Sequence, residues 1–140
     1  MTNQALIEKL NANTPTFLRL LGGRVVAVDR GEQSCTFEFN IGTDYCHSID
    51  IVQGGFITAM LDAAMSHAVF AQNEDVVNVS SLEIKTTYLE PTRAGRLTAV
   101  GRVIKCAYKT VFMEGRLYTE DGLLTATTSS VAKLARSKVE

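Results

Sequence analysis

The sequence predicts an α+β protein in which one antiparallel sheet wraps around one long buried helix. Three observations predict it. From Gly55 to about Gln72 nothing breaks a helix, and the stretch is apolar almost all the way round, as in an enclosed helix. After Asn73-Glu74-Asp75 the pattern turns to strands and stays there. Turn signals then recur, at Pro91–Gly95 and at Glu120-Asp121-Gly122.

Taken in order, residues 2 to about 13 read as a short helix, with Leu6, Ile7 and Leu10 on one face and Asn3 placed to cap it. Pro15 ends that helix, and Thr16–Leu21 adds a turn before Gly22-Gly23. Arg24–Asp29 and Ser34–Phe39 read as strands around a Gly31-Glu32 turn. In the second strand Cys35, Phe37 and Phe39 alternate with Thr36 and Glu38. Residues 40–52 hold no regular element. The long helix follows. Val76–Leu89 is the next strand, with Leu82, Ile84 and Tyr88 on one face and Ser81, Glu83 and Lys85 on the other. Leu97–Lys105, Thr110–Thr119 and Leu123–Leu134 complete the sheet through three hairpin-like links, and the tail Ala135–Glu140 is expected to fray.

Composition narrows the function classes. The 140 residues suit a single domain, residues 1–140, with 46% hydrophobic and 21% charged content. A net charge of −1 gives no basic field for nucleic acid. The long helix carries Asp62, Ser66 and His67 and lacks flanking basic clusters, so no membrane span is expected. Met1-Thr2-Asn3-Gln4 does not start a signal peptide, and Cys35, Cys46 and Cys106 read as free thiols, so the expected location is the cytoplasm. Two distant histidines and unspaced cysteines give no metal site, and no cofactor is expected.

The polar exceptions on the helix carry the chemistry. Thr58, Asp62 and Ser66 stand at i, i+4 and i+8 and form one stripe. A carboxylate in an apolar helix needs partners. No Lys or Arg occurs between Arg30 and Lys85, so those partners come from elsewhere in the fold or from a second subunit. Gly54-Gly55 presents backbone N–H groups at the positive end of the helix dipole. Exposed amides with a buried carboxylate are parts of an acyl-transfer site, although an aspartate satisfied by backbone groups fits the same stretch.

Gln53-Gly54-Gly55, Leu61-Asp62-Ala63-Ala64, the run Val79–Leu82 and the turn Tyr88–Gly95 together resemble the hotdog-fold acyl-CoA thioesterases of the phenylacetic-acid-degradation (PaaI-like) type. The resemblance spans about Phe17 to Leu134. It implies Asp62 as nucleophile or general base and the Gly54 N–H as donor to the thioester oxygen. Ser66 and Ser81 match positions where relatives place a hydroxyl near the water. Gln53 stands where the family motif has His, and His47 stands where such enzymes place Asn or Gln. Gly55, Met65 and Arg93 are the substrate-binding candidates, Met65 as lining of an acyl pocket and Arg93 toward coenzyme A phosphates. The implied substrate is an acyl-CoA carrying a small-to-medium acyl or aryl-acyl group. The implied assembly is a homodimer or dimer of dimers with the site across the interface and strand Val76–Leu89 as the seam. A non-catalytic module binding acyl-CoA or acyl carrier protein is the alternative. The substituted Gln53 favours that alternative and the retained Asp62 opposes it.

Overall fold

A computed structural model describes residues 1–138 of the chain. The elements run α1 (Asn3–Ala12), α2 (Thr16–Leu20), β1 (Gly23–Asp29), β2 (Ser34–Ile41), a 3-10 turn at Thr43–Tyr45, α3 (Gly54–Gln72), β3 (Val76–Tyr88), β4 (Gly95–Cys106), β5 (Thr110–Thr119) and β6 (Leu124–Arg136). The six strands form one sheet in the order β1-β2-β4-β5-β6-β3, every pair antiparallel, and α3 packs against one of its faces. The predicted class, one long helix held by an antiparallel sheet, is what the chain adopts.

The core lies between α3 and the sheet. Cys35, Phe37 and Phe39 of β2 are fully buried, as their alternation predicts, and Phe37 stacks on Phe39. Met60, Leu61, Ala64, Met65 and Ala68 bury the facing side of α3. Gly101 on β4 sets how closely the two layers meet. A Cβ there would strike the Ala64 carbonyl and the Met65 backbone nitrogen, so only glycine lets the α3 backbone rest directly on the sheet. Among the described residues, α3 is the one helix long and apolar enough to cross a bilayer, and half of that apolar window is buried within the fold.

The strand order corrects one expectation. Of the three links after α3, only β4–β5 and β5–β6 are hairpins, because β3 pairs with β6 at the edge of the sheet and the chain must cross over to reach β4. A second correction concerns the faces of β3. The register with β6 shifts between Ser81 and Glu83, which makes Leu82 an extra, bulged residue. One added residue turns the side chains before it to the other face. Ser81 therefore points at α3 together with Ile84, Thr86 and Tyr88, while Leu82 is 62% exposed.

The chain ends also differ. Thr2, not Asn3, caps α1, its hydroxyl accepting the Ala5 N–H at 3.1 Å. Asn3 instead donates to the Val28 carbonyl, and Asn11 holds both the N–H and the carbonyl of Val25. These side chains satisfy the free edge of β1. At the other end Ala135 and Arg136 belong to β6, and Arg136 pairs with Asp75 at 2.9 Å, so the tail does not fray from Ala135. Val139 and Glu140 lie outside the described residues.

Candidate active site

Helix α3 begins where an extended segment ends. Gln53 is its N-cap, with φ −66° and ψ 138°, and its side-chain oxygen accepts the Gly55 N–H at 2.8 Å. The Phe56 and Ile57 amides both turn to the Gln53 carbonyl, at 3.0 and 3.3 Å. Of the first amides of α3, the Gly54 N–H alone has no acceptor among the described residues. Such an N–H at a helix start carries the positive end of the macrodipole. It lies beside a cleft of about 460 Å3 whose walls include His47, Gly54, Ile57, Tyr88 and Pro91.

Two polar side chains of α3 contact β3. Thr58 lies 2.8 Å from the Thr86 hydroxyl and 3.2 Å from that of Tyr88. Asp62, one turn on, is half-buried and accepts a hydrogen bond from the Ser81 hydroxyl at 3.1 Å. Ser66 follows a further turn along, half-buried on the same stripe. No ion pair involves Asp62 among the described residues. Burial raises its carboxyl above the usual aspartate range, and the Ser81 hydrogen bond pulls weakly the other way. A carboxyl shifted upward mainly by desolvation is poised to accept a proton near neutrality better than an ordinary surface aspartate.

The residues singled out from the sequence therefore fall into three groups. Asp62 and Ser81 come together where α3 meets β3, and Ser66 lies one helical turn beyond Asp62 with no hydrogen bond to either among the described residues. Gln53, Gly54, Gly55 and His47 gather at the start of α3, with His47 exposed and its backbone N–H bonded to the Ile51 carbonyl. Met65 lies apart from both, and Arg93 stands beside the segment that leads into α3, its backbone bridged to Ile51. Met65 is fully buried under the sheet, its sulfur receiving the Thr128 hydroxyl at 3.4 Å. Arg93 is exposed and paired with Asp50 at 2.7 Å. The Gly55 N–H is already taken by Gln53, so it is not open to a ligand.

Two participants were not legible in the sequence. Thr86 and Tyr88 share the inward face with Ile84, as alternation gives, but that this face lies against the start of α3 is set by the tertiary pairing and not by anything local in Thr86-Thr87-Tyr88. His67 lies off the stripe, as its position on the helix predicts. It is buried with Nδ1 2.8 Å from the Ala63 carbonyl, and the rings of Phe37 and Phe70 meet it edge-on. Among the described residues, no cluster of His, Cys, Asp and Glu could hold a metal ion.

Comparison with known proteins bears on the family and the fold. The family model of the thioesterase superfamily matches residues 50–126, just over half of the chain, from before Gln53 to within β6. An uncharacterized protein of Schizosaccharomyces pombe is 32% identical over 89 residues, 64% of this chain and 47% of that protein, so the match spans about half of that relative's length. The crystal structure of a phenylacetic acid degradation-related protein from Ralstonia eutropha is 27% identical. It aligns with a TM-score of 0.82 over 91% of this chain and 98% of that one. The PaaI protein of Escherichia coli, from the phenylacetic acid degradation operon, shares the fold with a TM-score of 0.83 over 99% and 100% of the two chains, at 15% identity. Helix, sheet order and matched segment together place this chain in the thioesterase superfamily, to which it belongs, with that family's hotdog fold.

Proposed function

We propose that the protein is an acyl-CoA thioesterase, with Asp62 as the group that activates or delivers the nucleophile and the Gly54 N–H as donor to the thioester carbonyl. The observation that carries this reading is Asp62 itself. It is a half-buried carboxyl on a largely apolar helix, its only side-chain hydrogen-bond partner among the described residues a serine hydroxyl, its proton affinity raised by burial. Whether it attacks the carbonyl or takes a proton from the attacking water, it must be ionised. As general base it takes a proton from water, the resulting hydroxide adds to the carbonyl, the C–S bond breaks to give the acid, and that proton goes to the departing coenzyme A thiolate. As nucleophile it forms a mixed anhydride as the C–S bond breaks, and water then hydrolyses the anhydride to the acid, restores the Asp62 carboxylate and supplies the thiol's proton. Ser81 supports this by fixing one carboxylate oxygen, and Ser66 offers a hydroxyl on the same stripe.

Spacing argues that the working site takes residues from two chains. Gly54 and Asp62 are eight residues apart on one helix, about 12 Å along its axis. A carbonyl held at one and attacked from the other needs reacting atoms within roughly 3.5 Å. A second copy set against the first can bring its Asp62 to this chain's Gly54. The edge strand β3 offers the seam. The free edge of β1 is capped by Asn3 and Asn11, whereas β3 runs 13 residues with no such caps among the described residues. A homodimer, or a dimer of dimers, of single-domain chains in the cytoplasm is the form in which this reading operates.

The cleft beside Gly54, about 460 Å3, suits a pantetheine arm or a small-to-medium acyl or aryl-acyl group. His47 on its wall is a candidate contact for that ligand. The test is thiol release from a panel of acyl- and aryl-acyl-CoAs, with Asp62→Asn alongside. The variant should fold and lose at least about 100-fold in kcat, the scale of a missing general base. A folded Asp62→Asn protein with near-normal turnover defeats the assignment. A non-catalytic acyl-CoA or acyl-carrier-protein binding module is the second reading, favoured by the untitratable Gln53 at the head of α3. Tight binding of the panel with no thiol release selects it.

A further inference from the structure

The peptide linking Gly54 to Gly55 is gripped at both ends by side chains. Its N–H, that of Gly55, is held by the Gln53 side-chain oxygen at 2.8 Å. Its carbonyl, that of Gly54, accepts the Tyr88 hydroxyl at 2.8 Å. The Tyr88 ring also stands directly over the Gly54 Cα. A Cβ at Gly54 would lie 2.9 Å from the tyrosine oxygen and 3.0 Å from the ring carbon that bears it. Two successive glycines form the softest stretch of backbone a chain can have, since each lacks the steric limits a Cβ imposes. Here that softness sits at the one amide of the helix start that is left free.

The Tyr88 hydroxyl has a fixed sense. A carbonyl can only accept, so Tyr88 donates to Gly54. The Thr58 hydroxyl, 3.2 Å away, then donates to the Tyr88 oxygen, and Thr86 donates to Thr58 at 2.8 Å. The result is a one-way chain, Thr86 to Thr58 to Tyr88 to the Gly54 carbonyl, in which each bond polarises the next. It ties the bulged edge strand to the first turn of α3.

We propose that Tyr88 is a positioning residue for the proposed reaction: with Gln53 it clamps the Gly54–Gly55 peptide, and because the Phe56 and Ile57 amides hold the carbonyl of the preceding Gln53–Gly54 peptide, rotation about the Gly54 Cα between the two is restricted and the Gly54 N–H keeps its aim. The proposal rests on the reading of Gly54 as donor to the thioester carbonyl. A donor aimed in advance costs no reorganisation when charge develops on the carbonyl oxygen, and a donor free to swing does. Tyr88 needs no contact with the reacting atoms for this, so its loss falls on kcat and not on KM.

Tyr88→Phe keeps the ring and removes the clamp. Kinetics should show kcat down about five- to tenfold, the scale of one net hydrogen bond, with KM for acyl-CoA within about twofold of the parent. Thr58→Val, which cuts the chain one link earlier, should lower kcat less and in the same sense. Gln53→Ala and Tyr88→Phe act on one peptide, so their combined loss should differ from the product of the single losses. A second measurement needs no substrate. Amide hydrogen exchange at Gly55 should speed up about tenfold in Tyr88→Phe while exchange in the core of α3 is unchanged. Unchanged Gly55 exchange overturns the clamp. Faster exchange with unaltered kcat, loss expressed in KM alone, or strictly multiplicative effects with Gln53→Ala each overturn the positioning role. Full activity in Asp62→Asn would defeat the site reading instead, and Gly55 exchange would still decide the clamp.

Discussion

Gly101→Ala tests whether the backbone-to-backbone seat of α3 on β4 sets the geometry of the site. The added methyl meets the carbonyl of Ala64 and the nitrogen of Met65 far inside van der Waals contact, and neither is the end of a flexible side chain. Restoring ordinary contact needs the helix to back away by roughly 1 Å. Overpacking a core costs about 1–3 kcal/mol, and a clash with rigid backbone belongs at or beyond the upper end. For a chain of this length a loss of about 3 kcal/mol lowers Tm by on the order of 10 °C. Gly115→Ala is the matched control. Its Cβ would meet the Thr128 hydroxyl at 2.6 Å and the tips of Leu61 and Met65 at 3.3 and 3.4 Å, all side-chain atoms able to turn aside. That variant should lose about 1 kcal/mol. The functional consequence follows from the same displacement. Ser81 reaches Asp62 at 3.1 Å across the α3–β3 junction, and a helix moved by roughly 1 Å cannot keep every such bond. Thermal unfolding of both variants, with thioester hydrolysis measured well below their transitions, reads both effects. Gly101→Ala within about 0.5 kcal/mol of the parent, or no less stable than Gly115→Ala, would refute the reasoning.

Further outcomes follow from the two buried ionisable groups on α3. Burial raises the Asp62 carboxyl, so the acid limb of kcat should fall at a pH above the ordinary aspartate range, and a midpoint near that of a surface aspartate would contradict its role as the ionised group. The same shift has a stability sign. Folded protein binds the Asp62 proton more tightly than unfolded chain, so ionising it costs stability as pH rises from the unfolded value, about 4, through the raised folded one. Asp62→Asn should therefore be at least as stable as the parent at pH 7 and lose that advantage near pH 4, as urea unfolding at the two pH values will show. His67 has the opposite sign. Burial lowers it, against the opposing hydrogen bond to Ala63, so the neutral ring is favoured and stability is lost as pH falls from about 6.5 toward the lowered folded value. His67→Gln should flatten that slope, and an equal slope in the variant would place the titrating group elsewhere.

What the sequence determined by itself was local. The stripe Thr58, Asp62, Ser66 needs only the 3.6-residue turn of a helix, and Thr58 and Asp62 do reach β3, with Ser66 half-buried one turn further on. The Cys35, Phe37, Phe39 alternation needs only the pleat of a strand. Asp121-Gly122 needs only a tight turn, and Gly122 takes φ +89° there. The resemblance to the hotdog thioesterases is legible in the sequence too, carried by Gln53-Gly54-Gly55 and Leu61-Asp62 together with the order of helix and strands.

Tertiary structure alone decided how these pieces meet. Strand β3 leaves the end of α3 and pairs with β6, the last strand, a partner some 50 residues away that no local pattern specifies. Its bulge at Leu82 turns Ser81 toward Asp62, whereas simple alternation from Ile84 and Tyr88 points Ser81 away. Met65 reads first as core filler and second as pocket lining, and it is fully buried under the sheet beside Thr128. Gln53 caps Gly55 and leaves the Gly54 N–H free, and Tyr88, more than thirty residues along the chain, closes over the same peptide. Periodicity records which way a side chain leaves its own backbone. Which backbone waits on the other side is set by long-range pairing and by the single extra residue that shifts its register.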